Sequence, residues 1–321
     1  MEQKFTFDDF ILVPGYAKED VREFKDATRA NLFGNILNIP ILSAPMDTIT
    51  GIPMMEALWH NGAAGVHHRY CDFSTLKDAA AYHGGVAISP SLGVDKVLKL
   101  VNKYLPNNFF VVDVAHGHSK KVLDFCEELI KNGIKNIVSG NIATVQGAEA
   151  YLNIGINHLR VGIGGGSRCI TRSVTGFGFP QASAIYEIAS EFYKYASIIS
   201  DGGCKNTGDI IKAYASGADF VMTGYLFAGT DECPPPPKGE TYKYRGMASE
   251  DALGERKKEF FVEGDSIAVE PKGTVLKPLL EIQDAIRHAC HYGGVTNYIG
   301  LRTVEKRMIT SSSYLEGLTR K

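Results

Sequence analysis

No run of about 18 apolar residues occurs in the 321-residue chain, so a membrane-spanning helix is not expected. The first residues, Met1-Glu2-Gln3-Lys4-Phe5, have neither the basic segment nor the apolar stretch of a signal peptide. Cysteine is sparse and scattered: the six residues at 71, 126, 169, 204, 233 and 290 form no C-x-x-C pair. That pattern argues against a disulfide framework or a structural zinc site, and for reduced thiols in a cytosol. An excess of one charge is also missing. A formal net charge of -2 gives no electrostatic footprint for nucleic acid as a partner. Nor does a G-x-G-x-x-G fingerprint follow any strand-like run with an acid downstream, so a Rossmann dinucleotide site is not expected.

What is present is a large core and a regular rhythm. Hydrophobic residues make up 44% and charged residues 22%, enough apolar material for one large α/β unit. Eight short apolar runs, at 39–44, 63–67, 85–89, 109–114, 136–140, 158–162, 196–200 and 219–224, each end in small, polar or glycine residues. Helix-like segments lie between most of them, at 97–104, 121–132, 145–153, 182–193 and 207–215. Continuous apolar strands alternating with helices signal a parallel sheet buried on both faces. Eight such units predict a single (β/α)8 TIM barrel over residues 1–321. A doubly wound open sheet is the second architecture, but it gives no reason for so many strand ends to carry polar groups. In a barrel those ends converge on the carboxyl-terminal rim, where barrel enzymes keep their active sites. After the eighth run the rhythm breaks at Cys233-Pro234-Pro235-Pro236-Pro237-Lys238-Gly239, a stiff linker. Residues 238–273 read as an excursion over the rim, 276–292 as the last barrel helix, and the polar tail from Arg302 as reaching to solvent or a neighbour.

The densest chemistry lies in Arg160-Val161-Gly162-Ile163-Gly164-Gly165-Gly166-Ser167-Arg168-Cys169-Ile170-Thr171. Glycines without a Cβ let backbone approach an ion or a phosphate. A thiol on such a polar turn is placed as a nucleophile, whereas the other five cysteines read as packing residues. Arg160, Arg168 and Arg172 would favour its thiolate if any of them points at it. Carbonyls turned outward on the loop are suited to a monovalent cation.

Asp201-Gly202-Gly203 and Gly224 follow the seventh and eighth runs, whose loops commonly hold phosphate in barrels. Asp201 is a candidate acceptor for ribose hydroxyls, with helix capping as the plain alternative. Asp113 and Asn141 end the fourth and fifth runs, where a second ligand would meet them; turn chemistry explains them equally well. His67, His68, His116 and His118 sit on two separate loops without a carboxylate set, which does not favour metal catalysis.

The chain resembles the IMP dehydrogenase/GMP reductase family nearly end to end. The likeness is carried by Phe5-Thr6-Phe7-Asp8-Asp9, Ser43-Ala44-Pro45-Met46-Asp47-Thr48, Gly140-Asn141-Ile142-Ala143-Thr144 and the Cys169 loop. It continues through Gly176-Phe177-Gly178-Phe179-Pro180-Gln181, Asp201-Gly202-Gly203, Tyr244-Arg245-Gly246-Met247 and Pro271-Lys272-Gly273. The resemblance implies a barrel without the regulatory insert, a cytoplasmic homotetramer, a purine nucleotide monophosphate as substrate, a nicotinamide cofactor and potassium. It implies Cys169 as the nucleophile at purine C2, with Thr171 and Glu263 handling the proton. It implies nucleotide contacts from Arg160, Ser167, Asp201, Gly203, Gly224, Tyr225, Tyr244, Gly246 and Met247. Asp113 and Asn141 match positions near the cofactor, and the carbonyls of Gly164, Gly166 and Cys169 match the potassium ligands.

Between Met247 and Glu263 there is no Arg-Tyr pair of the kind dehydrogenases use to activate water. Asp113-Val114-Ala115, Thr171-Arg172, Thr175-Gly176 and the stretch 199–204 look reductase-like, whereas Tyr244-Arg245-Gly246-Met247 and Ile170 look dehydrogenase-like. The expected reaction is NADPH-dependent conversion of GMP to IMP and ammonia through a Cys169 thioimidate. IMP dehydrogenase is the enzyme alternative, and a purine-nucleotide sensor without catalysis is the alternative of another class. Arg168 stands where the family has an apolar residue, Tyr225 where it has a small one, and Phe260-Phe261-Val262 where reductases place polar residues. These departures leave base and sugar preference open, deoxynucleotides included.

Overall fold

All eight apolar runs form strands in the computed structural model, which describes residues 2–104, 108–236, 238–249 and 263–318. They are β1 (Ile41–Ser43), β2 (Val66–His67), β3 (Gly85–Ile88), β4 (Phe109–Val112), β5 (Ile137–Ile142), β6 (His158–Val161), β7 (Ser197–Asp201) and β8 (Phe220–Thr223). Each pairs in parallel with its neighbours in the order β1-β8-β7-β6-β5-β4-β3-β2. A parallel bridge from Leu42 to Ala64, just ahead of β2, links the two ends of that order, so the sheet is a (β/α)8 barrel. Every residue of β3, β4, β5 and β8 is buried, which is why these strands read as unbroken apolar runs. Each large apolar side chain so buried stabilises the fold by about 1.5–3 kcal/mol before conformational entropy is charged against it.

The helices fall at α1 (Ile52–His60), α2 (Val94–Tyr104), α3 (Lys120–Lys131), α4 (Val145–Asn153), α5 (Thr171–Thr175), α6 (Gln181–Phe192), α7 (Thr207–Ser216) and α8 (Leu276–Gly293). The α4 helix starts where the Thr144 hydroxyl accepts from the Gly147 amide, and α7 where the Asn206 side chain accepts from the Asp209 amide. After β2 the helix is replaced by 3-10 turns over Phe73–Tyr82, and the whole β2–β3 connection is residues 68–84.

The amino-terminal end of the barrel is stoppered by a hairpin, Ala30–Leu32 with Asn35–Leu37, that the sequence reading did not anticipate. Its tip residue Phe33 stacks on His158 at 4.0 Å and meets Phe109 at 5.6 Å. Those two residues begin β6 and β4, so this end of the barrel is filled by packing. The expectation for the tail was wrong. Lys306–Met308 pairs antiparallel with Phe10–Leu12, the Ile309 amide bonds the Asp9 carbonyl at 2.9 Å, and a further helix, α9 (Ser311–Leu318), follows. Backbone pairing satisfies a ribbon whatever its side chains, so a polar tail folds back without an apolar signature. The excursion after β8 contains a second ribbon, Tyr242–Arg245 with Ser266–Val269, which arches over the carboxyl-terminal rim. Among the described residues no helix is long and apolar enough to cross a membrane.

Candidate active site

The open end of the barrel holds a cavity of about 310 Å³. Every site residue picked from the sequence lines it: Cys169, Thr171 and Glu263; Arg160, Ser167, Asp201, Gly203, Gly224, Tyr225, Tyr244, Gly246 and Met247; Asp113 and Asn141; Gly164 and Gly166. They come from five of the eight strand ends and from the arching ribbon. No single stretch of chain could have revealed that convergence.

The Cys169 loop is fixed from two sides. Its own turn is closed by the Cys169 amide on the Gly166 carbonyl at 3.0 Å. The ribbon then docks against it. The Ile170 amide bonds the Glu263 carbonyl at 2.9 Å, the Asp265 amide bonds the Arg168 carbonyl at 2.9 Å, and Cys169 bridges Gly264. This short ladder brings together residues 92 positions apart: the Cys169 thiol donates to Thr171 Oγ1 at 3.1 Å, and the Thr171 hydroxyl donates to Glu263 Oε2 at 2.7 Å. The result is a sulfur–hydroxyl–carboxylate relay opening into the cavity.

The three arginines that would favour the thiolate if they pointed at it are engaged elsewhere. Arg160 donates from Nε to Asp201 at 2.7 Å and from Nη1 to Asp113 at 2.6 Å. Arg168 approaches Asp265, and Arg172 donates to the Phe179 carbonyl at 2.5 Å. A buried guanidinium is held by the nearest carboxylates, and for Arg160 those are Asp201 and Asp113. The remaining cysteines divide as their burial dictates. Burial pushes the Cys126 thiol up to about 11, against a hydrogen bond with Ser139, and the Cys290 thiol up to about 12. Cys204 and Cys233 are raised by burial too, so all four are structural thiols at neutral pH. Cys71 is half-buried, 3.5 Å from the His68 carbonyl.

The same cavity is lined by an ionic cluster built on a buried arginine. Arg160 is 7% exposed. Its burial opposes its charge, but Asp201 and Asp113 outweigh that and hold its pKa above the ordinary arginine value. Asp113 also accepts from Arg69 Nε at 3.3 Å. Asn141 donates from Nδ2 to the Gly162 carbonyl and to Asp201 Oδ2, each at 2.7 Å. Asn141 Oδ1 is buried and accepts nothing among the described residues. Asp201 is therefore no helix cap, and its Oδ1 has no partner among the described residues. Gly162 makes the close approach possible: its φ is +149°, and a Cβ there would collide with the Asp201 carbonyl.

The third wall is hydroxyls and amides. Ser167 Oγ donates to Tyr244 Oη at 3.4 Å, and Tyr244 meets the edge of Tyr225 at 5.6 Å between ring centres. Lys272 donates to the Tyr225 carbonyl at 3.3 Å and lies over its ring. The Gly203, Gly224 and Tyr225 amides donate to nothing among the described residues. Gly224 is tightly set, since a Cβ there would stand 2.7 Å from Met46 Sδ. One pair was missed: Arg245 forks onto Asp47 at 3.1 and 3.3 Å, pinning the ribbon to the end of β1. Both residues sit inside motifs quoted above, but their meeting is invisible in one dimension.

No group of three or more His, Cys, Asp or Glu side chains among the described residues is placed to hold a metal. The Gly164 and Cys169 carbonyls accept no hydrogen bond among the described residues, and the Gly166 carbonyl accepts one. Phe260, Phe261, Val262 and Arg256 lie outside the described residues.

Comparison with known proteins agrees with this geometry. Residues 4–319 match the family model of the IMP dehydrogenase / GMP reductase domain. A GMP reductase of Lysinibacillus sphaericus is 33% identical over 98% of both chains. GMP reductases of Bacillus subtilis and an Exiguobacterium species are 33% and 34% identical over the same share. A rim cavity with a cysteine–threonine–glutamate relay and a match over nearly its full length make this chain an oxidoreductase of the IMP dehydrogenase/GMP reductase family.

Proposed function

We propose that the protein reduces GMP to IMP and ammonia with NADPH. The observation that carries this reading is the Cys169–Thr171–Glu263 relay, with no other titratable side chain hydrogen-bonded to it among the described residues. The similar proteins named GMP reductase support the choice of substrate. The Cys169 sulfur, as thiolate, adds to C2 of the purine. The exocyclic amine must then leave, and it leaves as ammonia only if it is protonated. Thr171 stands between sulfur and carboxylate, so a proton held by the Glu263 carboxyl passes through its hydroxyl to the amine. Loss of ammonia leaves a thioimidate on Cys169. Splitting the displacement at this covalent stage replaces one difficult step with two easier ones. A reduced nicotinamide, when bound, supplies the hydride that C2 takes up before sulfur departs and IMP forms.

The nicotinamide end of the cofactor fits the Asp113–Asn141 wall, because Asn141 Oδ1 is a buried acceptor in want of a donor such as a carboxamide amine. The Ser167, Tyr244, Gly203 and Gly224 wall suits a phosphate, and the free Asp201 Oδ1 suits a ribose hydroxyl. Potassium would take the Gly164, Gly166 and Cys169 carbonyls, hard oxygen donors on the loop that carries the nucleophile. A homotetrameric cytoplasmic enzyme of one barrel domain completes the reading.

The test is purified protein with GMP and NADPH in potassium buffer, followed by nicotinamide absorbance and product analysis. IMP and ammonia in step with NADPH loss are expected, and Cys169→Ala should abolish turnover while retaining nucleotide binding. XMP formed from IMP and NAD, or near-normal turnover by Cys169→Ala, would overturn the proposal.

A further inference from the structure

Three arginines are among the residues that line the cavity: Arg69, Arg160 and Arg168. Two are neutralised inside it: Arg69 by Asp113, and Arg160 by Asp113 and Asp201. The third carboxylate of the lining, Glu263, is engaged by Thr171. Arg168 differs. Its one ionic neighbour among the described residues is Asp265, 3.5 Å away, whose side chain is 58% exposed and does not line the cavity. A solvent-facing pair at that distance is weak. Its Nε is buried and has no acceptor among the described residues, an arrangement that costs free energy until one is supplied.

The surroundings of Arg168 indicate what that acceptor is. Ser167 precedes it, and the Ser167 hydroxyl reaches Tyr244. Arg168 is also seated against the ribbon that carries Tyr244: its carbonyl accepts from the Asp265 amide at 2.9 Å, and a Cβ on Gly246 would stand 3.2 Å from that oxygen. The wall itself offers only neutral donors, the Ser167 and Tyr244 hydroxyls and the unpaired Gly203 and Gly224 amides. A dianion bound there would meet no other cation that the cavity leaves unneutralised among the described residues.

We propose that Arg168 is a substrate-binding residue whose guanidinium contacts the phosphate of the purine nucleotide, making recognition depend on that group's charge. This rests on the preceding reading that the ligand is a purine monophosphate. The planar fork, with an Nε proton already desolvated, matches two phosphate oxygens. Asp265 is then the resting counter-ion, exchanged for the phosphate on binding. In this chain Arg168 replaces the apolar side chain expected beside the nucleophile, so the phosphate contact is a property of this sequence.

Calorimetric titration of GMP and of guanosine into the wild type, Arg168→Met and Arg168→Lys tests the assignment, at two potassium chloride concentrations. Loss of a charge-assisted contact is expected to raise the GMP dissociation constant of Arg168→Met about 10- to 100-fold. Guanosine binding should move less than about twofold, since no phosphate is present to meet the charge. Arg168→Lys should recover part of the loss, because the charge returns without the fork. The salt dependence of GMP binding should flatten in Arg168→Met. Equal losses for GMP and guanosine would mean that Arg168 only props the loop, and no loss for GMP would likewise overturn the assignment. Wild-type protein that binds GMP without turnover would remove the reductase reading and leave this comparison decisive. Wild-type protein that binds neither GMP nor IMP would overturn both.

Discussion

Replacing Arg160 by methionine isolates the energetics of the barrel's ionic cluster. The side chain is nearly fully buried and holds two carboxylates, Asp201 at 2.7 Å and Asp113 at 2.6 Å. Removing one partner from a buried ionic cluster leaves an uncompensated charge and costs about 3–5 kcal/mol. The two acids are not left equally exposed. Asp113 keeps Arg69 at 3.3 Å, while Asp201 keeps only the neutral Asn141 amide. Most of the cost therefore belongs to Asp201. Arg160→Met/Asp201→Asn should recover more stability than Arg160→Met/Asp113→Asn. The comparison is made at about pH 7, where carboxyls of the unfolded chain are ionised. Urea unfolding followed by circular dichroism measures it, with midpoints compared at unchanged slope. A deficit below about 1 kcal/mol would refute the charge argument, and so would better rescue by Asp113→Asn.

Two further outcomes follow from the same coordinates. Thr171→Val keeps the branched shape but removes the hydroxyl between Cys169 and Glu263, so turnover should fall about 10²- to 10⁴-fold. Glu263→Gln should do the same, and the double variant should be no worse than the poorer single, because the two act as one relay; multiplicative losses would show independent roles. Burial pushes His158 down to about 4 from 6.5, so the unfolded chain binds a proton the folded one refuses between those values. Stability should fall by up to about 3 kcal/mol as pH drops through that window. His158→Gln should show a smaller acid loss than the wild type, and equal losses would remove His158 as the cause.

The barrel was legible because its physics is local and repeated. Strands buried on both faces must be apolar throughout, and α3, α4, α6 and α7 fell within a residue or two of the expected spans. The carboxyl-terminal rim was legible for the same reason, since polar residues ending apolar runs have one place to go in a barrel. The stoppering hairpin was not, because its two strands of three residues each are too short for a period to register. The tail was misjudged because ribbon pairing with Phe10–Leu12 uses backbone groups that composition does not report.

At the site, the residue pattern alone picked out a thiol on a glycine loop and carboxylates and an amide at strand ends, while Glu263 entered only through the family resemblance. Chemistry of that kind is a property of side-chain type and spacing, and both are written in one dimension. Only the tertiary structure decided who faces whom. It turned Arg160 away from Cys169 and onto Asp113 and Asp201, joined Asp47 to Arg245, and set Glu263 against Thr171 through a ladder between two distant loops. Those pairings rest on distances between residues far apart in the chain. Electrostatic and hydrogen-bond energies vary steeply with such distances, and no local pattern encodes them.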